Sequence, residues 1–77
     1  MDPSEVEALI SAALPGARVS VQSPDGSHFE ALVISEQFDG QRTLARHRIV
    51  YAALGERVGR EIHALSLRTQ TPAEAGQ

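Results

Sequence analysis

The stretch on which the fold depends reads Ile62-His63-Ala64-Leu65-Ser66-Leu67-Arg68-Thr69-Gln70-Thr71-Pro72. Up to residue 69 its side chains alternate, with His63, Leu65, Leu67 and Thr69 on one face and Ile62, Ala64, Ser66 and Arg68 on the other. A period of two predicts a strand with one face toward a core. Thr71-Pro72-Ala73-Glu74 then has the pattern of a capping box at a helix start. We therefore expect a last strand that opens on an imidazole and closes on a capped turn.

The length of 77 residues allows one small domain, 1–77, with a core from about residue 2 to residue 74 and a short tail at 75–77. No apolar run is long enough to span a bilayer, and the N-terminus is acidic instead of basic and apolar. These features predict a cytoplasmic protein that does not bind membranes.

Several kinds of chemistry are excluded by composition. The chain contains no cysteine, so it supplies no disulfide, thiol nucleophile or thiolate ligand. Its net charge of −3 argues against strong non-specific binding to nucleic acid. We find no paired acid and base and no phosphate-binding glycine loop, and Ser66 alternates to the strand face opposite His63. We expect neither catalysis nor a small-molecule substrate.

The remaining elements follow from caps, turns and periodicity. Asp2-Pro3-Ser4-Glu5 begins a helix, and Pro15-Gly16 ends it; its apolar stripe comprises Val6, Leu9, Ile10, Ala13 and Leu14. Alternation predicts strands at 18–22 and 28–35, which the turn at 23–27 makes antiparallel. Phe38 is expected to fold back onto the sheet.

A second helix is predicted from about Gln41 to Val58. Leu44, His47, Val50, Tyr51, Leu54 and Val58 share one arc of its helical wheel, and Ile49 faces the opposite side. His47 and Tyr51 are therefore interpreted as structural residues. Gly55 weakens the helix, so an end or a kink at Gly55 stays open as an alternative, and Gly59 is the expected C-terminal cap.

This order predicts an α+β fold with a three-stranded mixed sheet and the helices on one face. A strand, helix, strand unit crosses over right-handed and makes its strands parallel, so the second strand should lie in the middle. The other sheet face stays partly open, and open faces and edges are where small domains of this class usually meet partners.

Four motifs occur in the order and spacing of a known family. They are Phe38-Asp39-Gly40, Arg46-His47-Arg48 with Val50-Tyr51, His63-Ala64-Leu65 and Thr69-Gln70-Thr71-Pro72. From about Val19 to Glu74 the chain resembles the BolA family. This resemblance implies a fold similar to the type II KH domain and a monothiol glutaredoxin as partner, with a [2Fe–2S] cluster bridged between the two proteins. Some members are instead described as DNA-binding transcriptional regulators.

The resemblance places the family's invariant histidine at His63. A [2Fe–2S] cluster needs four ligands, usually thiolates, although two imidazoles can replace two thiolates on one iron. This chain would supply His63, with His28 as the second candidate, and a glutaredoxin cysteine and glutathione would supply the thiolates. Imidazole is neutral and easier to displace than a thiolate. The expected role is therefore cluster trafficking or iron sensing.

The sequence departs from the family pattern at two places. Longer members carry a second ligand in an extended loop between the first two strands, but here that connection is the short turn at 23–27. His28 matches the Ser-His-Phe start of the second strand, so a solvent-facing residue and a ligand stay open as alternatives. Ala75 stands where many relatives have tryptophan, which predicts weaker docking of the tail. The short turn resembles the family's acid-response branch, although that branch usually lacks Arg-His-Arg.

Arg42, Arg46 and Arg48 form a small basic stripe on the second helix. One explanation is a solvated flank paired with local acids, and the other is binding of glutathione carboxylates or of an acidic glutaredoxin surface. DNA binding through the KH-like surface is the rival function. It has less support, because a KH domain uses a Gly-x-x-Gly loop and Gly55-Glu56-Arg57-Val58-Gly59 has the wrong spacing.

Overall fold

A computed structural model describes residues 1–76, so the last residue of the predicted tail, Gln77, lies outside the described part of the chain. The helices and strands follow in the predicted order: α1 (Pro3–Ala13), β1 (Arg18–Gln22), β2 (His28–Ile34), α2 (Thr43–Leu54) and β3 (Ala64–Gln70). Two short 3-10 helices, Glu36–Phe38 and Gly55–Arg57, flank α2.

The three strands form one mixed sheet in the order β1-β2-β3. β1 pairs with β2 antiparallel, with Arg18 opposite Ile34, and β2 pairs with β3 parallel, with His28 opposite Ala64. The prediction that β2 is the middle strand is confirmed. The parallel pairing also means that β2 and β3 begin at the same end of the sheet.

One cluster of buried side chains joins both helices to one face of the sheet. It contains Val6, Ile10 and Leu14 from the first helical segment, Val21, Phe29, Ala31 and Val33 from the sheet, and Phe38, Val50, Leu54 and Ile62. The opposite face, with Glu30, Ser66 and Arg68, is exposed. The predicted α+β class with helices on one face is therefore confirmed, and so is the burial of Phe38.

The predicted end of α2 at Val58 is wrong, because the helix stops at Leu54. Gly55 is the residue after it, with φ 58°, and its N–H donates to the Tyr51 carbonyl. Positive φ is costly for residues with a Cβ, so the only glycine within the predicted helix is where the backbone turns out of it. Gly55 therefore caps α2 in place of Gly59.

The apolar arc of α2 is also rotated from its predicted direction. Leu44 and Tyr51 are 63% and 38% exposed, whereas Val50 and Leu54 are fully buried and Ile49 packs against the core. Arg46 lies on the buried side of α2, and its side chain is only 11% exposed. A hydropathy pattern assigns arginine to solvent, although its long apolar stem can cover a core while the guanidinium finds a partner.

The start of β3 differs from the predicted alternation. Ile62 is fully buried and His63 is exposed, although the alternation placed His63 on the core face. The strand begins only at Ala64, so the strand period does not extend back to these two residues. From Leu65 onward, the predicted alternation is observed, with Leu65 and Leu67 more buried than Ser66 and Arg68.

Candidate metal centre

His63 lies directly before β3 and is held by its backbone while its side chain faces solvent. Its N–H donates to the carbonyl of Ser27 at 2.8 Å, which joins the start of β3 to the turn before β2. Residues 1–76 provide no hydrogen-bond partner for its ring nitrogens. The ring is therefore accessible to a metal held by another molecule, and its role as a ligand stays a prediction.

His28, the first residue of β2, lies next to His63 in space. The two ring centroids are 5.5 Å apart, with 79° between the ring planes. The parallel pairing that sets His28 opposite Ala64 causes this proximity. Both histidines were predicted as candidate ligands of one cluster, but their contact was not predicted. The predicted parallel pairing of their strands was the signal that they begin side by side.

The spacing of the two rings fits coordination of one metal ion. With metal–nitrogen bonds of about 2.0–2.1 Å, two imidazoles on a tetrahedral metal have centroids about 5 Å apart. No group of three or more histidine, aspartate or glutamate side chains in residues 1–76 forms a complete metal site. A metal ion bound by both imidazoles would therefore need at least two further ligands from another molecule.

Asp25, which was not predicted to be a site residue, makes a direct contact with His28. One carboxylate oxygen lies 2.7 Å from Nδ1 of His28, and the other accepts the backbone N–H groups of Ser27 and His28. These hydrogen bonds hold the pKa of the Asp25 carboxyl well below its usual value, with the backbone N–H of His28 as the largest cause. We refer to Asp25, His28 and His63 as the histidine cluster.

Arg46 binds within the chain at the opposite end of β2 and β3. Its guanidinium donates to both carboxylate oxygens of Glu74, at 2.6 and 3.2 Å, and to the Gln41 carbonyl at 2.8 Å. It also lies 5.8 Å from the centroid of the Phe38 ring. This pair lowers the pKa of the Glu74 carboxyl to about 2. The sequence predicted pairing with local acids such as Glu36 or Asp39, so Glu74 is a partner that the sequence did not predict.

The capped turn after β3 completes this arrangement. The Thr71 N–H donates to the Glu74 carboxylate at 2.8 Å, and the Glu74 N–H donates to the Thr71 hydroxyl at 3.1 Å. The predicted capping box is confirmed, although it closes a single turn and no helix follows in residues 72–76. We refer to Arg46, Thr71 and Glu74 as the arginine clasp.

The other predicted site residues lie apart from the histidine cluster. Arg42 and Arg48 are exposed on or beside α2, and neither forms an ion pair within residues 1–76. His47 is half-buried and stands outside the ring pair. Tyr51, which shares the predicted apolar arc, is partly exposed, and its structural role stays a prediction. Partner binding by the three arginines stays a prediction. It has least support for Arg46, because the guanidinium of Arg46 is already bound within the chain.

Within residues 1–76, no helix has the length and apolar character needed to cross a membrane.

Comparison with known proteins identifies the family. A family model described as BolA-like protein matches residues 7–74. The acid stress protein IbaG of Escherichia coli is 37% identical over 96% of this chain and 88% of its own length. The DNA-binding transcriptional regulator BolA of the same organism is 40% identical over 74% of this chain and 54% of its own length.

Solved structures agree with this assignment. A bolA protein homologue from Coxiella burnetii has a TM-score of 0.87 and 44% identity, covering 100% of this chain and 99% of that one. The chain spans less than two thirds of several curated relatives, including 39% of human BolA-like protein 1. Because the family model nevertheless covers all but the ends of the sequence, and fold and motifs agree with it, the chain belongs to the BolA family.

Proposed function

We propose that this protein is a non-catalytic adaptor that binds a monothiol glutaredoxin and shares a [2Fe–2S] cluster with it in the cytoplasm. The observation that carries the proposal is the exposed ring of His63 at 5.5 Å from the ring of His28. Relatives are named as a regulator and an acid stress protein, which agrees with a protein that has no catalytic role. Cluster trafficking or iron sensing under stress is the activity proposed.

The donor set explains why a partner is required. Four ligands are needed for the cluster, and the chain has two imidazoles in contact and no cysteine. The remaining ligands are thiolates, which a glutaredoxin cysteine and glutathione supply. When bound, the cluster provides the iron and sulfide to be delivered or sensed, and the chain's own contribution is two neutral, displaceable nitrogen ligands at its surface.

The partner surface is proposed to include the free edge of β3 and the exposed arginines of α2. Within residues 1–76, β3 pairs only with β2, so the backbone groups of its other edge are not used by the sheet. Arg42 and Arg48 have no carboxylate partner within residues 1–76 and can bind carboxylates of glutathione or of an acidic protein. Arg46 is already paired with Glu74 and is expected to act indirectly, by holding α2 and the tail turn in place.

The test is reconstitution of the mixed complex with glutaredoxin, glutathione, iron and sulfide. The visible spectrum of the complex with His63→Ala should lose the bands that the parent shows or shift them markedly. His47→Ala is the matched control, because it removes an imidazole outside the ring pair, and its spectrum should equal that of the parent. Identical spectra for His63→Ala and the parent would show that His63 is not a ligand.

DNA binding is the second candidate, favoured by the name of the Escherichia coli relative, a DNA-binding transcriptional regulator. The net charge of −3 weighs against it. A regulator should keep a sequence preference at physiological salt, whereas purely electrostatic binding weakens steeply and equally for all sequences. Titration of specific and scrambled duplexes at two salt concentrations separates these outcomes.

A further inference from the structure

The turn before β2 places a carboxylate against the His28 ring in a fixed orientation. Asp25 Oδ1 accepts the N–H groups of Ser27 at 2.9 Å and of His28 at 2.8 Å, while Oδ2 lies 2.7 Å from His28 Nδ1. Both oxygens are therefore engaged by the same short segment. A carboxylate anion can only accept hydrogen bonds, so the ring nitrogen in this contact must be the donor.

We propose that Asp25 is a positioning residue that keeps the proton of the neutral His28 ring on Nδ1 and leaves the lone pair of Nε2 for a metal ion. In a neutral imidazole one nitrogen carries hydrogen and the other carries a lone pair. Metal-bound histidines in proteins commonly donate their second ring N–H to a carboxylate, which sets the tautomer and ring orientation. The use of Nε2 in cluster binding rests on the proposed function, whereas the tautomer is a property of the free protein.

The same turn orders all three members of the histidine cluster. The Ser23 hydroxyl donates to the His28 carbonyl at 2.6 Å and accepts the Gly26 N–H at 2.8 Å, and Gly26 has a φ of 76° that suits glycine. The carbonyl of Ser27 accepts the N–H of His63. The short turn carries no loop ligand of its own, but it orients His28 and ties it to the start of β3.

The experiment is NMR of the free protein, uniformly labelled with ¹⁵N, at a pH at which the histidine rings are neutral. Long-range ¹H–¹⁵N correlations show which ring nitrogen carries the proton. For the parent, we expect His28 predominantly protonated on Nδ1. In Asp25→Asn the amide oxygen can still accept the backbone N–H groups, but the amide nitrogen now donates to the ring. The His28 tautomer should therefore reverse, with its proton predominantly on Nε2.

Glu30→Gln is the matched control. Glu30 is exposed on β2 two residues after His28 and forms no hydrogen bond with its ring, so the same loss of charge should leave the His28 tautomer unchanged. Backbone amide spectra check that each variant is folded, and Asp25→Ala, which should lose the Nδ1 preference, provides a second test. A parent protonated on Nε2, or an unchanged tautomer in Asp25→Asn, would overturn the proposal.

A second measurement links the tautomer to the cluster. In the mixed complex, Asp25→Asn should change the visible spectrum in the same direction as His28→Ala, while Glu30→Gln should not. If the spectrum of His28→Ala differed from that of the parent while the spectrum of Asp25→Asn did not, the positioning role of Asp25 in metal binding would be overturned. Should even the parent fail to form a cluster with the glutaredoxin, the proposed function fails, and the NMR result still decides whether Asp25 sets the tautomer.

Discussion

The histidine cluster and the arginine clasp lie at opposite ends of the β2–β3 pair and use a carboxylate in different ways. Asp25 accepts two backbone N–H groups and Glu74 accepts one, each carboxylate also binds a side chain, and in both the pKa is lowered. The partners differ: Asp25 meets a histidine side chain that is 56% exposed, whereas Glu74 meets an arginine side chain that is 11% exposed.

This difference indicates which end is available for chemistry. A guanidinium stays charged and uses its donors in a fixed fork, so the pair of Arg46 and Glu74 connects α2 to the tail turn. An imidazole bonded through one nitrogen keeps the other for a ligand. One end of the sheet is thus closed by its own side chains, and the other presents unused nitrogen atoms to solvent.

The largest effect on stability is expected from truncating Phe38, whose ring packs beneath the arginine clasp. Phe38→Ala should lower the free energy of unfolding by about 3–5 kcal/mol, because the ring is fully buried beneath Arg46. Urea denaturation measures the loss. Leu44→Ala is the control at a site that is 63% exposed and should change stability by no more than about 0.5 kcal/mol. Similar losses for both variants would contradict the assigned burial.

Arg46→Ala is expected to lower stability by a smaller amount, and this loss should depend on pH. The Glu74 pKa is lowered from 4.5 to about 2 in the folded chain, so the pair stabilises the fold fully above pH 4.5 and loses this contribution as pH falls through 2. Arg46→Ala should therefore have a lower urea midpoint than Arg48→Ala at neutral pH, with a gap that narrows in acid. A gap that stays constant would show that the loss comes from packing and not from the ion pair.

The smallest effect on stability is expected at the histidine cluster. His28→Ala should change the free energy of unfolding by no more than about 0.5 kcal/mol, since the side chain is largely exposed and Asp25 keeps its two backbone hydrogen bonds. Urea denaturation beside Arg46→Ala tests this ranking. If His28→Ala were the more destabilising of the two, the histidine cluster would be a structural element, and the contrast between the two ends would be lost.

Local patterns were enough to predict most elements, and they failed where a residue's environment depends on distant partners. The predictions of the capping box at Thr71 and of the order of helices and strands along the chain were correct, because each depends on neighbouring residues. Hydropathy placed Arg46 at the flank, but its side chain is largely buried and pairs with a carboxylate near the far end of the chain. His63 was predicted on the core face because the predicted alternation begins at Ile62, and nothing local showed that β3 begins only at Ala64.

For the candidate site too, short segments predicted some features and only the tertiary structure revealed the others. Alternation, turn residues and short motifs were sufficient for the fold class, the family resemblance and the two candidate ligands, His63 and His28, since all of these are properties of short segments. The contact between His28 and His63 required the parallel register of β2 and β3, and the role of Asp25 required the folded path of the turn. Proximity and hydrogen-bond direction are set by how segments pack in three dimensions, and for that reason only the tertiary structure decided them.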